Sequence, residues 1–260
     1  MEIYSRYIPR EYLALKINYL RGRLAEMPEV RIANRMRYGK IEKRCLFGRH
    51  NYALDNPRAK QLSEMATIRQ KNGQLLDCYE AEWREHFCDN VPQNIMPRSI
   101  PRTLNPNNPA LSRLMDKEFF DSLKNDANPF YREFKKIPYN GILYRSQAEA
   151  EIARFYTEHD IPFKYEPEIC LDGMQKTYHP DFVLLIQEIN SCKIHEHFGM
   201  MNSTDYLREN KIKITNYLNA GLIPGHDLFF TYGNESMAFS VNELMPMLNS
   251  IIYSSLISAP

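Results

Sequence analysis

Residues 90–110, NVPQNIMPRSIPRTLNPNNPA, hold five prolines and five asparagines in 21 positions. Proline donates no backbone hydrogen bond and biases the residue before it away from the helical region. Neither a helix nor a paired strand survives that density, so the stretch is expected to divide the chain. The expected organisation is a basic N-terminal region at 1–90 built from helices and a β-hairpin, a linker at 91–110, and a domain at 111–260. With 260 residues in all, each part is of ordinary domain scale.

Charge follows the same division. Residues 1–60 carry 14 Lys and Arg against 6 Asp and Glu, whereas residues 61–260 carry 19 against 26. A basic arm on an acidic body is the pattern of a chain that meets a polyanion. The five cysteines are scattered and form no CxxC pair, which argues against a zinc site of the usual spacing and for reduced thiols in a cytoplasmic protein. No apolar run is long enough to span a bilayer, so no membrane partner is expected. Glycine-rich nucleotide-binding loops (GxxxxGK[ST], GxGxxG) and the GxSxG nucleophile elbow are lacking.

In the N-terminal region, 11–27 reads as an amphipathic helix with Leu13, Ile17, Leu20 and Leu24 on one face. Residues 30–47 read as a hairpin turning at Tyr38-Gly39. Alternation puts Val30, Ile32, Met36 and Tyr38 on one face and Arg31, Arg35 and Arg37 on the other. Lys40, Lys43 and Arg44 follow the turn. The apolar face is expected to pack on helix 11–27, leaving the six cations as a nucleic-acid-binding surface. A second helix is expected at 57–88.

Past the linker, 111–123 reads as a helix, and 146–160 as a stronger one with Ser146 at its N-cap and Glu149 three residues on. Segments 162–171, 177–186 and 192–199 read as three successive strands. A helix at 203–221 with Gly221 at its stop, a strand at 227–232 and a closing helix at 242–257 complete an α-β-β-β-α-β-α order, an α/β (α+β) class. Two of these strands carry acids where a core wants aliphatics. Glu196 shares a face with Ile194 and Phe198, and Asp181 follows Pro180 at the start of the apolar run FVLLI. A buried carboxylate must be protonated, paired or bound to a cation. Two acids converging from adjacent strands suit Mg²⁺, which takes one or two carboxylates plus water and phosphate oxygens.

The element order, with RSQAE…IA, HPDF, EHFGM and then Y…K…Y…G, resembles the PD-(D/E)xK nuclease superfamily, the restriction-endonuclease-like fold, and within it a bacterial branch marked by HPDF and EHFG. A related pattern occurs in nuclease modules attached to helicases. The likeness spans about residues 140–235. It implies an αβββαβ core that hydrolyses phosphodiester bonds of DNA with Mg²⁺ or Mn²⁺, Asp181 and Glu196 being the metal-holding acids and Glu149 the helical glutamate that completes the site. Two residues after Glu196, where the superfamily has lysine, stands Phe198. Some members place this lysine on the next helix, where Lys213 is the match, with Tyr217 one turn on along the same face. A homodimer, or an ATPase or helicase on another chain, would be in keeping with such a module. The competing expectation is a nuclease fold without chemistry that binds nucleic acid or a protein partner.

The plainer readings are a capping box for Glu149, a turn hydrogen bond for Asp181, an ion pair with Lys164 or Lys193 for Glu196, and a solvated helix lysine for Lys213. His179, His195 and His197 flank the acids. His195 and His197 share the face opposite Glu196, so a metal site made of both imidazoles and that acid is disfavoured. They are expected to pack or to meet phosphate, with His197 and His179 as accessory candidates and His197 as a stand-in base.

Overall fold

The computed structural model describes residues 10–92, 114–171, 177–199, 203–233 and 239–257. These fall into two compact units, one on each side of residue 96, and the architecture is α+β. Most of the proline- and asparagine-rich stretch expected as a linker lies outside the described residues.

The N-terminal unit runs α1 (Arg10–Glu26), β1 (Val30–Arg37), β2 (Lys40–Phe47), β3 (His50–Ala53) and α2 (Pro57–His86). Helix α1 buries Leu13, Ile17 and Leu20 and packs on α2. Helix α2 starts where Asn56 accepts from the Arg58 amide and Pro57 takes a position whose amide has no helical partner. Strands β1 and β2 pair antiparallel from Val30↔Phe47 to Arg37↔Lys40, and β3 adds to β2 as a strand the sequence pattern did not reveal. The turn falls at Tyr38 and Gly39, both at positive φ as a tight two-residue hairpin turn requires.

The apolar face of the hairpin departs from expectation. Its base, with Val30, Cys45, Phe47 and Tyr52, packs against Ala59, Leu62 and Met65, so the sheet's support comes from α2. Towards the turn that face is uncovered: Met36 is 69% and Tyr38 92% exposed, and Ile32 and Ile41 are exposed with them.

The C-terminal unit opens with α3 (Lys117–Ser122), shorter than the helix expected from 111, because Asp116 caps it by accepting from the Phe119 amide. Next comes a hairpin, β4 (Ile137–Tyr139) and β5 (Ile142–Tyr144), turning on Asn140-Gly141, and then α4 (Gln147–Glu158). The segment expected as one strand over 162–171 is two, β6 (Phe163–Tyr165) and β7 (Ile169–Cys170). The segment 177–186 is likewise β8 (Thr177–Tyr178) and β9 (Phe182–Ile186). Pro167 and Pro180 explain both breaks, since neither can donate to a ladder. Strand β10 (Ser191–Phe198), α5 (Thr204–Asn219), β11 (Leu228–Tyr232) and α6 (Leu244–Ile257) follow.

The main sheet has the order β11-β10-β9-β6, antiparallel throughout except for the parallel β10–β11 pair, whose crossover is α5. Both faces are covered, so β9 and β10 are buried along their whole length. One face carries Val183, Leu185, Cys192 and Ile194 against Phe119, Phe120 and Tyr217. The other sets Phe182 and His195 against Tyr156 of α4.

Candidate functional site

Paired breaks in the β6–β7 and β8–β9 segments build one end of the sheet. At that level the Glu166 amide donates to the Asp181 carbonyl at 2.9 Å, so the two interrupted strands stay tied where their ladders stop. Asp181, freed from regular pairing, turns its carboxylate back to β10, where Oδ2 accepts from the His197 amide at 2.7 Å. Its own amide points at Glu196 Oε2, 3.4 Å away. The two acids are therefore neighbours, both buried, with Glu196 1% exposed.

Helix α5 brings a cation and a hydroxyl to Glu196. Lys213 Nζ donates to Glu196 Oε2 at 2.6 Å and to the His179 carbonyl at 3.3 Å. One turn on, the Tyr217 hydroxyl donates to Glu196 Oε1. Glu196 therefore pairs with Lys213 rather than with Lys164 or Lys193. Phe198, where the resemblance leads one to expect a strand lysine, instead stacks on Phe230 at 5.4 Å.

Glu149 stands on α4, where its amide donates to the Ser146 cap at 3.2 Å. Its carboxylate does not return to the Ser146 amide as a capping box requires. Oε2 accepts from the Arg145 amide at 3.1 Å and from the Tyr165 hydroxyl at 2.7 Å.

Burial governs the electrostatics. It pushes Glu196 up to about 7, and the negative charge of Asp181 adds to the push against the pull of Lys213 and Tyr217. Burial also pushes Asp181 up, but Lys213 and Arg145 more than offset it and hold that carboxyl below its ordinary value. Glu149 is pushed up by burial and then by Asp181. Burial works against the charge of Lys213, yet Glu196 and Asp181 together keep its ammonium above the usual lysine value. A raised lysine beside a raised glutamate is consistent because Asp181 ionises first and Glu196 second.

The histidines divide as strand parity requires. His195 is a core residue, its ring nitrogens 2.6 Å from the Tyr156 hydroxyl and 2.8 Å from Thr231 Oγ1, and burial lowers it to about 3. His197 lends its amide to Asp181 but turns its ring to Thr231 Oγ1 at 2.9 Å, on the face away from Glu196. His179 offers its carbonyl to Lys213, and its Nε2 lies 3.8 Å from Glu168.

Sequence reasoning missed Arg145 and Glu166. The guanidinium of Arg145 reaches Asp181 Oδ1 at 2.9 Å, Glu166 Oε1 at 3.0 Å and Glu149 Oε1 at 3.7 Å. Glu166 is fully buried at a φ of +40°, a costly backbone for a non-glycine residue. The readable signal for Arg145 was Asn140-Gly141, a hairpin turn whose second strand runs straight into it.

Among the described residues no three His, Cys, Asp or Glu side chains converge as a ready metal cage. The donor set nevertheless fits a divalent ion. Asp181 and Glu196 are two adjacent buried carboxylates, the number Mg²⁺ commonly takes from a protein. Across the wider cluster, the five carboxylates Asp126, Glu149, Glu166, Asp181 and Glu196 face the three cations Lys135, Arg145 and Lys213. Fully ionised, the cluster is short by two positive charges.

In the N-terminal unit, register places Arg31, Arg35, Arg37, Lys40 and Arg44 on one face of the sheet, with Glu42 opposite Arg35. Lys43 projects from the other face, opposite Asn34. Arg44 is tied to Asn51 Oδ1 at 2.8 Å. Among the described residues, no helix is long and apolar enough to cross a membrane. Compared with protein-family models, with curated proteins and with solved structures, the chain matches none.

Proposed function

We propose that the C-terminal unit is a Mg²⁺- or Mn²⁺-dependent nuclease of the restriction-endonuclease-like kind, hydrolysing phosphodiester bonds of DNA. The observation that carries this reading is the pair Asp181 and Glu196, buried side by side at a sheet end with Lys213 Nζ 2.6 Å from Glu196. Asp181 and Glu196 would hold the ion, with Glu149 assisting. A bound ion would polarise a phosphoryl oxygen and lower the pKa of a water.

The chain's own groups then have distinct parts. Lys213 keeps its proton, so it serves as a hydrogen-bond donor that orients the attacking water rather than as the base that deprotonates it. Tyr217 fixes the rotamer of Glu196 through Oε1 and leaves Oε2 to the lysine. The aromatic packing of Phe198 closes the neighbouring side of the strand to water.

The C-terminal part is acidic, with 8 Lys and Arg against 15 Asp and Glu over 141–260, so phosphate binding beyond the site needs a cationic surface elsewhere. The arginine face of the hairpin has that character.

Purified protein incubated with plasmid and linear DNA in Mg²⁺ and in Mn²⁺ tests the reading. Cleavage is expected in wild type and lost in Asp181→Ala and Glu196→Ala; cleavage persisting in both variants would refute the assignment. A second reading, a nucleic-acid-binding module without chemistry, draws on the phenylalanine at position 198 and on the turn of Glu149 towards Tyr165. It requires that Mn²⁺ titration by calorimetry give no heat of binding.

A further inference from the structure

Behind Asp181 lies a second layer of charge that the proposed hydrolysis does not use. Glu166 is fully buried, and its Oε1 takes Asn128 Nδ2 at 3.1 Å and the Arg145 guanidinium at 3.0 Å, while Lys135 Nζ lies 2.5 Å from its Oε2. Lys135 in turn meets Asp126. A buried carboxylate held in a strained backbone by one amide and two cations is expensive, and a hydrophobic residue of similar size would be a cheaper filler for a core. One terminal nitrogen of Arg145 touches both Glu166 and Asp181, and its side chain is 29% exposed.

We propose that Arg145 is the resident counter-cation of the site: it occupies Asp181 Oδ1 in the metal-free protein, yields that oxygen to the divalent ion, and stays tethered by Glu166 as a ligand for a phosphate oxygen of the substrate. The inference rests on the metal-dependent reading above. Its geometry follows from the shape of the two groups. One guanidinium nitrogen meets both carboxylates and the others remain as donors, whereas a lysine ammonium has no further nitrogen to offer. With Asp181 taken by metal, Glu166 retains its bond to the same nitrogen, so the displaced guanidinium remains within reach of the site instead of moving into solvent. The carboxylates of the cluster outnumber its cations, and a divalent ion brings the positive charge that lets them all ionise together.

Mn²⁺ titration by calorimetry of the full chain, in wild type, Arg145→Gln and Arg145→Lys, tests this, with inorganic phosphate added to each Mn²⁺-loaded protein. Removing the competing cation is expected to tighten Mn²⁺ binding by roughly tenfold or more in Arg145→Gln. Arg145→Lys keeps the charge and guards against a folding failure. Its ammonium sits on a shorter side chain and holds Asp181 less closely than the guanidinium does, so its Mn²⁺ affinity is expected to lie between the other two. Phosphate binding to the Mn²⁺-loaded protein is expected in wild type and lost in Arg145→Gln. A merely structural arginine predicts the opposite direction for metal. Mn²⁺ affinity unchanged or weakened in both folded variants overturns the proposal, as does phosphate binding that survives in Arg145→Gln. Failure of all three proteins to bind Mn²⁺ removes the metal-dependent reading itself, and this inference with it.

Discussion

Replacing Lys213 by Met should destabilise the metal-free C-terminal unit in a way that depends steeply on pH. The substitution removes the ammonium 2.6 Å from a carboxylate that is 1% exposed, leaving Glu196 with the Tyr217 hydroxyl and the Asp181 amide. Stranding a buried anion costs about 3–5 kcal/mol when it must stay charged. Glu196 has an escape, however, because it already titrates at about 7 in the folded protein against an ordinary value of 4.5. A folded-state value raised in this way means that its contribution to stability is full below 4.5 and declines as pH rises to about 7, a loss of about 3 kcal/mol, after which it is constant. In Lys213→Met the folded value rises further, so the decline continues above 7 at about 1.4 kcal/mol per pH unit. Between pH 7 and 9 the gap between variant and wild type should therefore widen, by at most about 3 kcal/mol, whereas below pH 6 it should hold steady. Hydrogen exchange across 191–199, followed with urea in chelator-treated buffer from pH 5 to 9, reads this directly, because the His197 amide is bonded to Asp181. Tryptophan fluorescence would not serve, since Trp83, the single tryptophan, lies in the N-terminal unit. A constant offset across the range would refute the electrostatic account of the Glu196–Lys213 pair.

Tyr217→Phe removes a buried hydrogen bond to a charged partner and should cost about 1–3 kcal/mol in the same exchange experiment; a loss below a few tenths would mean that the hydroxyl does not hold Glu196. His195, lowered to about 3 by burial, should remain neutral from pH 8 to 5, and a midpoint for its ring resonances within that range would contradict its place between Tyr156 and Thr231. Because its folded value is depressed, its contribution to stability is complete above about 6.5 and is lost as pH falls towards 3. In the N-terminal unit, Arg35→Ala with Arg37→Ala should weaken DNA binding and flatten the slope of log affinity against log salt by about 2 if each side chain meets one phosphate; an unchanged slope in a folded double variant takes the hairpin out of the interface.

What the sequence made legible, and what it did not, divides along a physical line. Strand parity alone separated Glu196 from His195 and His197, and the structure keeps them on opposite faces, the acid with Lys213 and Tyr217, the imidazoles with Thr231. Helical periodicity likewise joins Lys213 to Tyr217 one turn on, and both side chains reach Glu196. Periodicity reports which side chains share a face, but not what covers that face. Ile32, Met36 and Tyr38 alternate as a packed strand would, yet they stand exposed while the base of the same face packs against Ala59, Leu62 and Met65. The same reasoning accounts for Arg145 and Glu166. Neither falls within a periodic run: one follows the short hairpin at Asn140-Gly141, and the other sits at a proline break, where the ladder stops and the backbone turns to positive φ. Their partners are thus set by two interruptions meeting at the same level of the sheet, a tertiary coincidence tied by the Glu166 amide to the Asp181 carbonyl. Regular pairing would have carried Asp181 on into the ladder. The prolines that stop it free this carboxylate to turn back to the His197 amide and meet the Arg145 guanidinium, so the break in the sheet is what makes the site.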